Sequence, residues 1–265
     1  MSDVFLNGQP ASADDLRALA LTNYGHFTSM QVRGRAVQGL DLHLRRLRSA
    51  TRELFDAELA EERILADLRT ALDARGSGDC ALRMTVFARG FDYRRPADAG
   101  TPDLLVSLSP PATSGKPPLR LKSYPFVRPL PHIKHVGTFP LFHYRRLASR
   151  AGFDDALFVA PDGTVAEGSI WNIGFWDGER VIWPEAPALR GVTEQLLQAG
   201  LDELGIAQRR RPVGLAEAGG FQGAFAANAS GVQVVLEIDG AALSPVPALM
   251  EQLAAALARQ PWQPV

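Results

Sequence analysis

The sequence is poor in cysteine and lysine and has no long apolar run. Its single cysteine, Cys80, excludes a disulfide framework and a zinc site built on cysteines. No apolar stretch approaches the roughly 20 residues that are needed to span a bilayer, and the N-terminus lacks the basic start and apolar core of a signal peptide. We therefore expect a soluble cytoplasmic protein without a membrane partner.

The chain also lacks an excess of charge of either sign. Its 28 Lys and Arg residues are balanced by 29 Asp and Glu residues, which gives a formal net charge of -1. Proteins that neutralise nucleic-acid phosphates usually carry a basic excess, so no nucleic-acid partner is expected. Hydrophobic residues make up 46% and charged residues 22% of the chain, close to the globular average. This composition excludes a disordered chain, a collagen-like repeat and a coiled coil.

Lysine is scarce, because only Lys116, Lys122 and Lys134 occur among the 28 cationic residues. Lys134 lies in PLPHIKHVGTFP, among apolar residues and between two histidines. A lysine amine can act as a nucleophile and a guanidinium cannot, which makes Lys134 a candidate catalytic residue. The alternative is a side chain whose stem packs on apolar surface while the amine reaches water.

Hydrophobic periodicity predicts strands and a helical pair in about the first 110 residues, an α+β unit. A hairpin around Gly34 precedes one helix from Asp41, as its cap, to about Phe55, and another over roughly 61–74. Two alternating strands, ALRMTVFARG and DLLVSLSPP, follow. Residues 113–117 form the only linker-like stretch. We therefore predict an N-terminal domain over 1–112 and a C-terminal domain over 118–265.

The pattern of the second part predicts mainly strands. Residues 138–150 favour a helix, and Asp-Gly pairs at 162–163 and 177–178 indicate hairpin turns in a meander. A further helix is expected from about Thr193 to Gly205, followed by two late strands and a closing helix.

Glu167 lies in VAEGSIWNI, on a predicted strand with apolar neighbours. A buried carboxylate is costly unless it has a cationic or proton-donating partner. That partner is either a ligand or an arginine of the protein, and the pattern leaves both open.

Three segments could bind a phosphate. In LRGVTEQLL, Gly191 and Thr193 lie at a predicted helix start, where N–H groups and the helix dipole attract anions; a plain N-cap is the alternative. In LHLRRL, Arg46 lies nearest the edge of the apolar helix face and could bind a phosphate through two hydrogen bonds. The alternative there is a solvated basic face, with His43 in the core. In NASG, Ser230 offers a hydroxyl, and a tight turn is the alternative.

An amine, a buried carboxylate and phosphate-binding groups together match one ligand, pyridoxal 5′-phosphate (PLP). Its aldehyde reacts with a lysine amine, an acid beside its ring nitrogen keeps that nitrogen protonated, and its phosphate accepts hydrogen bonds. The sequence therefore predicts PLP as the cofactor.

The same segments, in the same order, resemble those of the class IV (fold-type IV) PLP enzymes. These are the branched-chain aminotransferases, D-amino-acid aminotransferases and 4-amino-4-deoxychorismate lyases. LHLRRL resembles the family's His-Leu-x-Arg-Leu, and PHIKHVGTF the segment of its Schiff-base lysine. DDALFVAPDGTVAEGSIWNIGFW resembles the block that ends in Glu-Gly-x-x-x-Asn. LRGVTEQLL resembles Pro-Gly-Ile-Thr-Arg, and AANASGVQVV a Thr-Asn or Thr-Gly segment. The resemblance runs from about Asn23 to Gly240.

This resemblance implies a two-domain α+β fold, with a small N-terminal α/β domain and a larger C-terminal β-rich pseudo-barrel domain. It implies that Lys134 is catalytic and holds PLP in a Schiff base. It also implies a homodimer. The other implied cofactor contacts are Arg46 and the N–H groups of Val192 and Thr193 at the phosphate, Glu167 at the ring nitrogen, and Ser230.

Departures from the family pattern concern the substrate. The early Gly-x-Phe-Glu-Thr motif is replaced by residues 25–29, GHFTS, which lack the acid. Branched-chain members carry a tyrosine where this chain has Phe139. The Pro and Arg that flank Gly-Ile-Thr are Arg190 and Glu194, and the first Thr of the late motif is Ala227. Candidate substrate residues are His26, Phe27, Arg89, Arg128 and Phe139.

The predicted activity is transfer of an amino group between an amino acid and a 2-oxo acid through the Lys134 Schiff base. The same groups can eliminate pyruvate from 4-amino-4-deoxychorismate, so a lyase is the nearest alternative. A metal site on His132, His135 and His143 is a weaker alternative, because the spacing of these residues does not fit one helix face. No metal is therefore expected. A noncatalytic module on the arginines of 45–52 and 209–211 is disfavoured by the neutral net charge.

Overall fold

A computed structural model of the chain describes residues 3–113 and 115–265. The helices in these residues are α1 (Arg17–Thr22), α2 (Leu40–Phe55), α3 (Glu61–Arg75), α4 (Phe139–Arg150), α5 (Val192–Glu203), α6 (Leu215–Ala218) and α7 (Pro247–Arg259). The strands are β1 (Val4–Leu6), β2 (Gln9–Pro10), β3 (Gly25–Val32), β4 (Ala36–Gln38), β5 (Cys80–Phe87), β6 (Asp103–Ser109), β7 (Leu119–Pro125), β8 (Asp155–Val159), β9 (Val165–Gly168), β10 (Asn172–Trp176), β11 (Val181–Pro184), β12 (Gln208–Arg211), β13 (Gly223–Asn228), β14 (Gly231–Ile238), β15 (Ala241–Ala242) and β16 (Trp262–Pro264).

The chain forms two compact units. The first consists of Met1–Ala112, Ile133–Gly137 and Trp262–Val265, and the second of Thr113–His132 and Thr138–Pro261. The two short segments join the first unit through backbone pairing, since Ile133–Gly137 bonds to β3 and β16 pairs with β4. Long-range pairing of this kind leaves no local periodicity. The predicted domain boundaries and the linker at 113–117 stay predictions, and residues 1, 2 and 114 lie outside the described residues.

The first unit is built on an antiparallel five-stranded sheet in the order β2-β1-β6-β5-β3. Helices α2 and α3 bury their apolar sides in the core that covers this sheet, with residues such as Leu47, Ile64 and Leu68. The predicted turn at Gly34 is confirmed by the two backbone bonds between Arg33 and Ala36. Strand β4 then pairs with β16.

Helix α2 confirms the predicted helix but corrects its cap. The N-cap is Gly39, whose φ of 67° lies in the left-handed region that favours glycine. Asp41 lies in the first turn instead and pairs with Arg45 at 2.9 Å. The earlier start lets Leu40 join the buried face of the helix.

The second unit is built on a nine-stranded sheet in the order β12-β11-β10-β13-β14-β7-β8-β9, with β15 added to β14. Three residues connect β9 to β10, and the Gly168 N–H donates to the Trp171 carbonyl at 2.9 Å. The sheet therefore curls until its last strand returns beside β10, as a partly closed barrel. The predicted helices near 138–150 and 193–205 are confirmed as α4 and α5.

Candidate active site

Lys134 lies in a segment that is bonded along strand β3. The Phe27 N–H donates to the Lys134 carbonyl at 2.9 Å, and the Val136 N–H donates to the Gly25 carbonyl at 2.9 Å. The side chain is partly buried, and its Nζ lies 4.9 Å from the centre of the Phe27 ring. These two bonds flank His135, so the backbone from the Lys134 carbonyl to the Val136 N–H is held by the sheet.

Arg83, which the sequence analysis missed, contacts the same phenylalanine. Its guanidinium carbon lies 3.5 Å from the centre of the Phe27 ring, and its Nε donates to Thr85 Oγ1 at 3.3 Å. None of the ion pairs in the described part of the chain includes Arg83, and burial lowers the pKa of its guanidinium. The signal for it was a cation within the apolar strand ALRMTVF.

Arg46 lies beside Thr28 and His43 in the first unit. Its Nη2 donates to Thr28 Oγ1 and lies 3.5 Å from His43 Nδ1, and Thr28 Oγ1 lies 2.6 Å from His43 Nδ1. Burial, and then the charges of Arg46 and Lys134, hold the pKa of His43 well below its usual range. His43 is therefore neutral, and the charges of both Arg46 and Lys134 lie near enough to act on it.

His26 points from β3 into the core and is 1% exposed. The Thr51 hydroxyl donates to the Leu47 carbonyl at 2.8 Å, so its oxygen accepts from His26 Nε2 at 3.0 Å. A neutral ring that donates from Nε2 carries no proton on Nδ1, and no group in residues 3–113 and 115–265 forms a hydrogen bond with this nitrogen. Burial, followed by the charge of Arg46, lowers the pKa of His26 to about 3. A contact of this buried ring with substrate stays a prediction.

The low pKa of His26 predicts acid sensitivity of the fold. The unfolded imidazole takes up a proton near its ordinary pKa of 6.5, whereas the folded one stays neutral down to about 3. Stability from this group is therefore complete above pH 6.5 and falls by about 1.4 kcal/mol per pH unit as the pH drops towards 3. We expect the stability advantage of wild type over His26→Gln to shrink by about 2 kcal/mol between pH 7 and pH 5. Urea unfolding at each pH measures it, and a constant difference would contradict the assignment.

Glu167 and Arg128 form a buried ion pair in the second unit, and each residue is 3% exposed. Arg128 Nε donates to Glu167 Oε1 at 3.1 Å, and its Nη2 donates to Oε2 at 3.4 Å. The arginine that the sequence left open as a partner of Glu167 is thus present. The paired bonds hold the plane of the carboxylate. The Arg128 guanidinium already binds Glu167. The predicted contact of Arg128 with a substrate carboxylate stays a prediction.

Asp155, also missed from the sequence, holds the residues that follow Glu167. Its carboxylate accepts from Ser169 Oγ at 2.6 Å and from Trp171 Nε1 at 2.9 Å. Gly168 leaves room for this arrangement, since a Cβ there would lie 2.1 Å from the Trp171 ring. The buried Asp155 carboxylate therefore holds the loop after β9 in place. It thereby also fixes the end of the strand that carries Glu167.

Helix α5 begins at an open turn. Its N-cap is Gly191, without a side-chain cap, so the interpretation of Thr193 as a plain N-cap is wrong. A Cβ on Gly191 would lie 2.1 Å from Asn172 Oδ1, and the Asn172 amide donates to the Leu189 carbonyl at 2.6 Å. The N–H groups of Val192 and Thr193 lie in the first turn, where a helix has no internal acceptors, and such a turn suits an anion.

Glu194 occupies that first turn as well and is buried. Burial raises the pKa of its carboxyl, although Arg190 and Arg210 oppose the shift. Arg190 Nε lies 3.4 Å from its Oε1. The two departures from the resembled motif, Arg190 and Glu194, are thus one ion pair. This pairing limits the negative charge that Glu194 adds to the helix start.

Three further predicted residues lie in separate surroundings. Ser230 lies in the turn between β13 and β14, where its N–H donates to Asn228 Oδ1 at 2.9 Å. Arg89 pairs with Asp15 at 2.6 Å and with Asp103 at 3.2 Å. Phe139 begins α4 and is 74% exposed. Their contacts with cofactor or substrate stay predictions.

The groups present fit the parts of PLP by their chemistry. The first unit supplies the Lys134 amine, which suits the aldehyde, and the Arg46 guanidinium, which suits the phosphate. The second unit supplies a buried carboxylate and an open helix start where a Cβ would fill the space beside Asn172. Over residues 3–113 and 115–265, no three His, Cys, Asp or Glu side chains are arranged to hold a metal ion. Over the same residues, no helix has the length and apolar character needed to cross a membrane.

Comparison with known protein families decides the assignment. The family described as amino-transferase class IV matches residues 25–238. The chain belongs to the class IV aminotransferases. That family supports a PLP-dependent enzyme acting on amino acids and keto acids, and the matched span contains every residue of the predicted cofactor site. No curated protein matches the sequence.

Solved structures of aminotransferases share the fold of this chain. A hypothetical aminotransferase from Mycobacterium tuberculosis in its PLP-bound form is 23% identical, with 96% of this chain and 98% of that chain covered and a TM-score of 0.79. The branched-chain aminotransferase of Thermoproteus uzoniensis with norvaline is 18% identical, with 96% and 93% covered and a TM-score of 0.85. That of Thermobaculum terrenum in its PLP form is 18% identical, with 96% and 92% covered and a TM-score of 0.83. The predicted fold-type IV α+β architecture is confirmed.

Proposed function

We propose that this class IV aminotransferase moves an amino group between an amino acid and a 2-oxo acid, and that Lys134 carries the reaction. The observation that carries the proposal is the position of Lys134, whose carbonyl accepts from the Phe27 N–H of β3 at 2.9 Å while its amine lies 4.9 Å from the centre of the Phe27 ring. A base that must take and return a proton at a defined atom needs such a fixed backbone. The other two lysines are engaged elsewhere, Lys122 with Asp239 at 2.8 Å and Lys116 with Asn228 at 3.4 Å.

PLP is the proposed resident cofactor. When bound, it supplies an aldehyde to the lysine and a ring that accepts electrons from the substrate carbon. By the family pattern, Lys134 would hold the aldehyde and Glu167 the proton of the ring nitrogen. Arg46, the N–H groups of Val192 and Thr193, and Ser230 would hold the phosphate. A guanidinium and helix-start N–H groups are the donors that bind phosphate in many proteins.

Lys134 would act as the base. Its neutral amine would take the proton from the α-carbon of the amino acid and would deliver it to the carbon that carried the aldehyde of the cofactor. The aromatic ring of Phe27 limits where the amine can travel. Arg128 fixes the orientation of the Glu167 carboxylate. The carboxylate would then accept the proton of the cofactor's ring nitrogen at one defined position.

Substrate recognition is proposed to involve Phe27 and Arg83 in the first unit. The Arg83 guanidinium lies over the Phe27 ring, and none of the ion pairs in the described residues includes it. It therefore offers a site for a substrate carboxylate. His26, Arg89, Arg128 and Phe139 stay as further predictions for the substrate pocket, and the homodimer and the cytoplasmic location stay predictions too.

An amino-transfer assay tests the function. The purified protein, loaded with PLP, is given 2-oxoglutarate together with a panel of L- and D-amino acids, and separately 4-amino-4-deoxychorismate. We expect glutamate to form from at least one amino acid. Release of pyruvate from 4-amino-4-deoxychorismate without any transfer would assign the protein as a lyase instead. Borohydride reduction followed by peptide mass mapping is expected to find the pyridoxyl group on Lys134, and an adduct elsewhere would contradict the role of this lysine.

A further inference from the structure

Thr28, His43 and Arg46 contact one another in the first unit. Thr28 lies on β3 and is fully buried, and His43 lies on α2 and is buried. Arg46 follows His43 by three residues on the same helix, so both side chains leave α2 on one face. Arg46 Nη2 meets Thr28 Oγ1, which in turn lies 2.6 Å from His43 Nδ1.

The proton positions in this set follow from the donors available. A guanidinium only donates, so Arg46 gives a proton to the Thr28 oxygen. The buried hydroxyl proton of Thr28 then needs an acceptor, and His43 Nδ1 is the other group in contact with that oxygen. His43 must therefore carry its proton on Nε2. Its neutral state agrees with the lowered pKa that burial and two nearby cations produce.

We propose that Thr28 and His43 are positioning residues that orient the Arg46 guanidinium towards a phosphate through this directed pair of hydrogen bonds. The inference rests on the proposed role of Arg46 as a phosphate ligand. A hydroxyl whose proton is taken up by a neutral imidazole orients the guanidinium without placing a negative charge beside it. A side chain that is already ordered loses less freedom when the ligand binds.

The test measures cofactor binding and not turnover. Apoprotein of wild type, Thr28→Val and Thr28→Ser is titrated with PLP and with pyridoxal, which lacks the phosphate. Valine has nearly the shape of threonine without the hydroxyl, and serine keeps the hydroxyl. We expect Thr28→Val to raise the Kd for PLP about tenfold, because a hydrogen bond to a charged group is lost. The Kd for pyridoxal is expected to change less than about twofold, and Thr28→Ser to stay within about threefold of wild type for both ligands.

Two results would overturn the inference. One is a Thr28→Val protein that binds PLP as wild type does. The other is an equal loss of affinity for PLP and pyridoxal, which would assign Thr28 to general packing. Arg46→Gln separates the two proposals. If it leaves the preference for PLP over pyridoxal unchanged, the phosphate role of Arg46 itself fails. If it removes that preference while Thr28→Val does not, only the positioning role fails.

The tautomer of His43 supplies a measurement on the unmodified protein. Nitrogen chemical shifts of the wild-type imidazole are expected to show a protonated Nε2 and an unprotonated Nδ1. A proton on Nδ1 would contradict the direction of the hydrogen bonds, whether or not the valine variant folds.

In the Arg46→Gln background, Thr28→Val is expected to cause no further change in the preference for PLP, as coupled residues require.

Discussion

Lys134→Arg is expected to lower the rate of amino transfer by about 10³-fold or more, because it removes the amine that is proposed to act as nucleophile and base. Arginine keeps the positive charge and much of the length of the side chain, but its guanidinium stays protonated. It can neither react with an aldehyde nor take a proton from carbon. Steady-state rates with the best amino donor found for wild type measure the effect.

The matched control for this variant is Lys122→Arg. Lys122 pairs with Asp239 on the surface at 2.8 Å, and an arginine can keep that ion pair. Its rate is expected to stay within about twofold of wild type, since exposed pairs contribute little. A visible absorption band of the bound cofactor is expected in Lys122→Arg and to be lost or shifted in Lys134→Arg. A Lys134→Arg enzyme with more than about a tenth of the wild-type rate would contradict the assignment of Lys134 as the base.

Glu167→Gln is expected to produce the second large effect, on stability and rate together. The amide is neutral, so the buried Arg128 loses its compensating charge. Breaking a buried ion pair by removing one partner costs about 3–5 kcal/mol of unfolding free energy. Urea unfolding of the apoprotein measures this loss. The transfer rate of the folded, loaded enzyme is expected to fall by about 10²-fold or more, because the amide cannot hold a proton at the ring nitrogen.

A double-mutant cycle separates the ion pair from general packing. Arg128→Met alone is expected to destabilise the protein by a similar amount, because it leaves Glu167 buried without its arginine. The double variant Glu167→Gln/Arg128→Met is expected to lose clearly less than the sum of the two single losses, since neither charge is then left unpaired. Additive losses would show that the two side chains do not act as a pair.

Local sequence patterns predicted most helices correctly, because the apolar face of a helix repeats within a few residues. Helices α4 and α5 begin within one residue of their predicted starts. The cap of α2 was predicted wrongly. Asp41 is a good capping residue by type, but a glycine in the left-handed region begins the helix earlier and buries Leu40. Strand β16 was missed, because its pairing with β4 joins residues that are far apart in the chain.

Candidate residues with rare chemistry could also be found without coordinates. Lys134 stands out through the scarcity of lysine, and Glu167 through its apolar neighbours. The partners of these residues could not be found in the same way. Arg128 precedes Glu167 by 39 residues, and nothing in either local pattern links them. Arg83 and Asp155 lie in ordinary strands, and only their contacts with Phe27 and with the loop after Glu167 distinguish them.

The order of residues along this chain determined which chemical groups exist, in which motifs they occur, and hence the family and its cofactor. The tertiary structure decided which groups act on each other: Arg128 on Glu167, Thr28 and His43 on Arg46, and β3 on the backbone of Lys134. The physical reason is the range of the forces. Helix and turn preferences act between neighbours in the chain, whereas burial, ion pairing and proton sharing act between groups that only folding brings into contact.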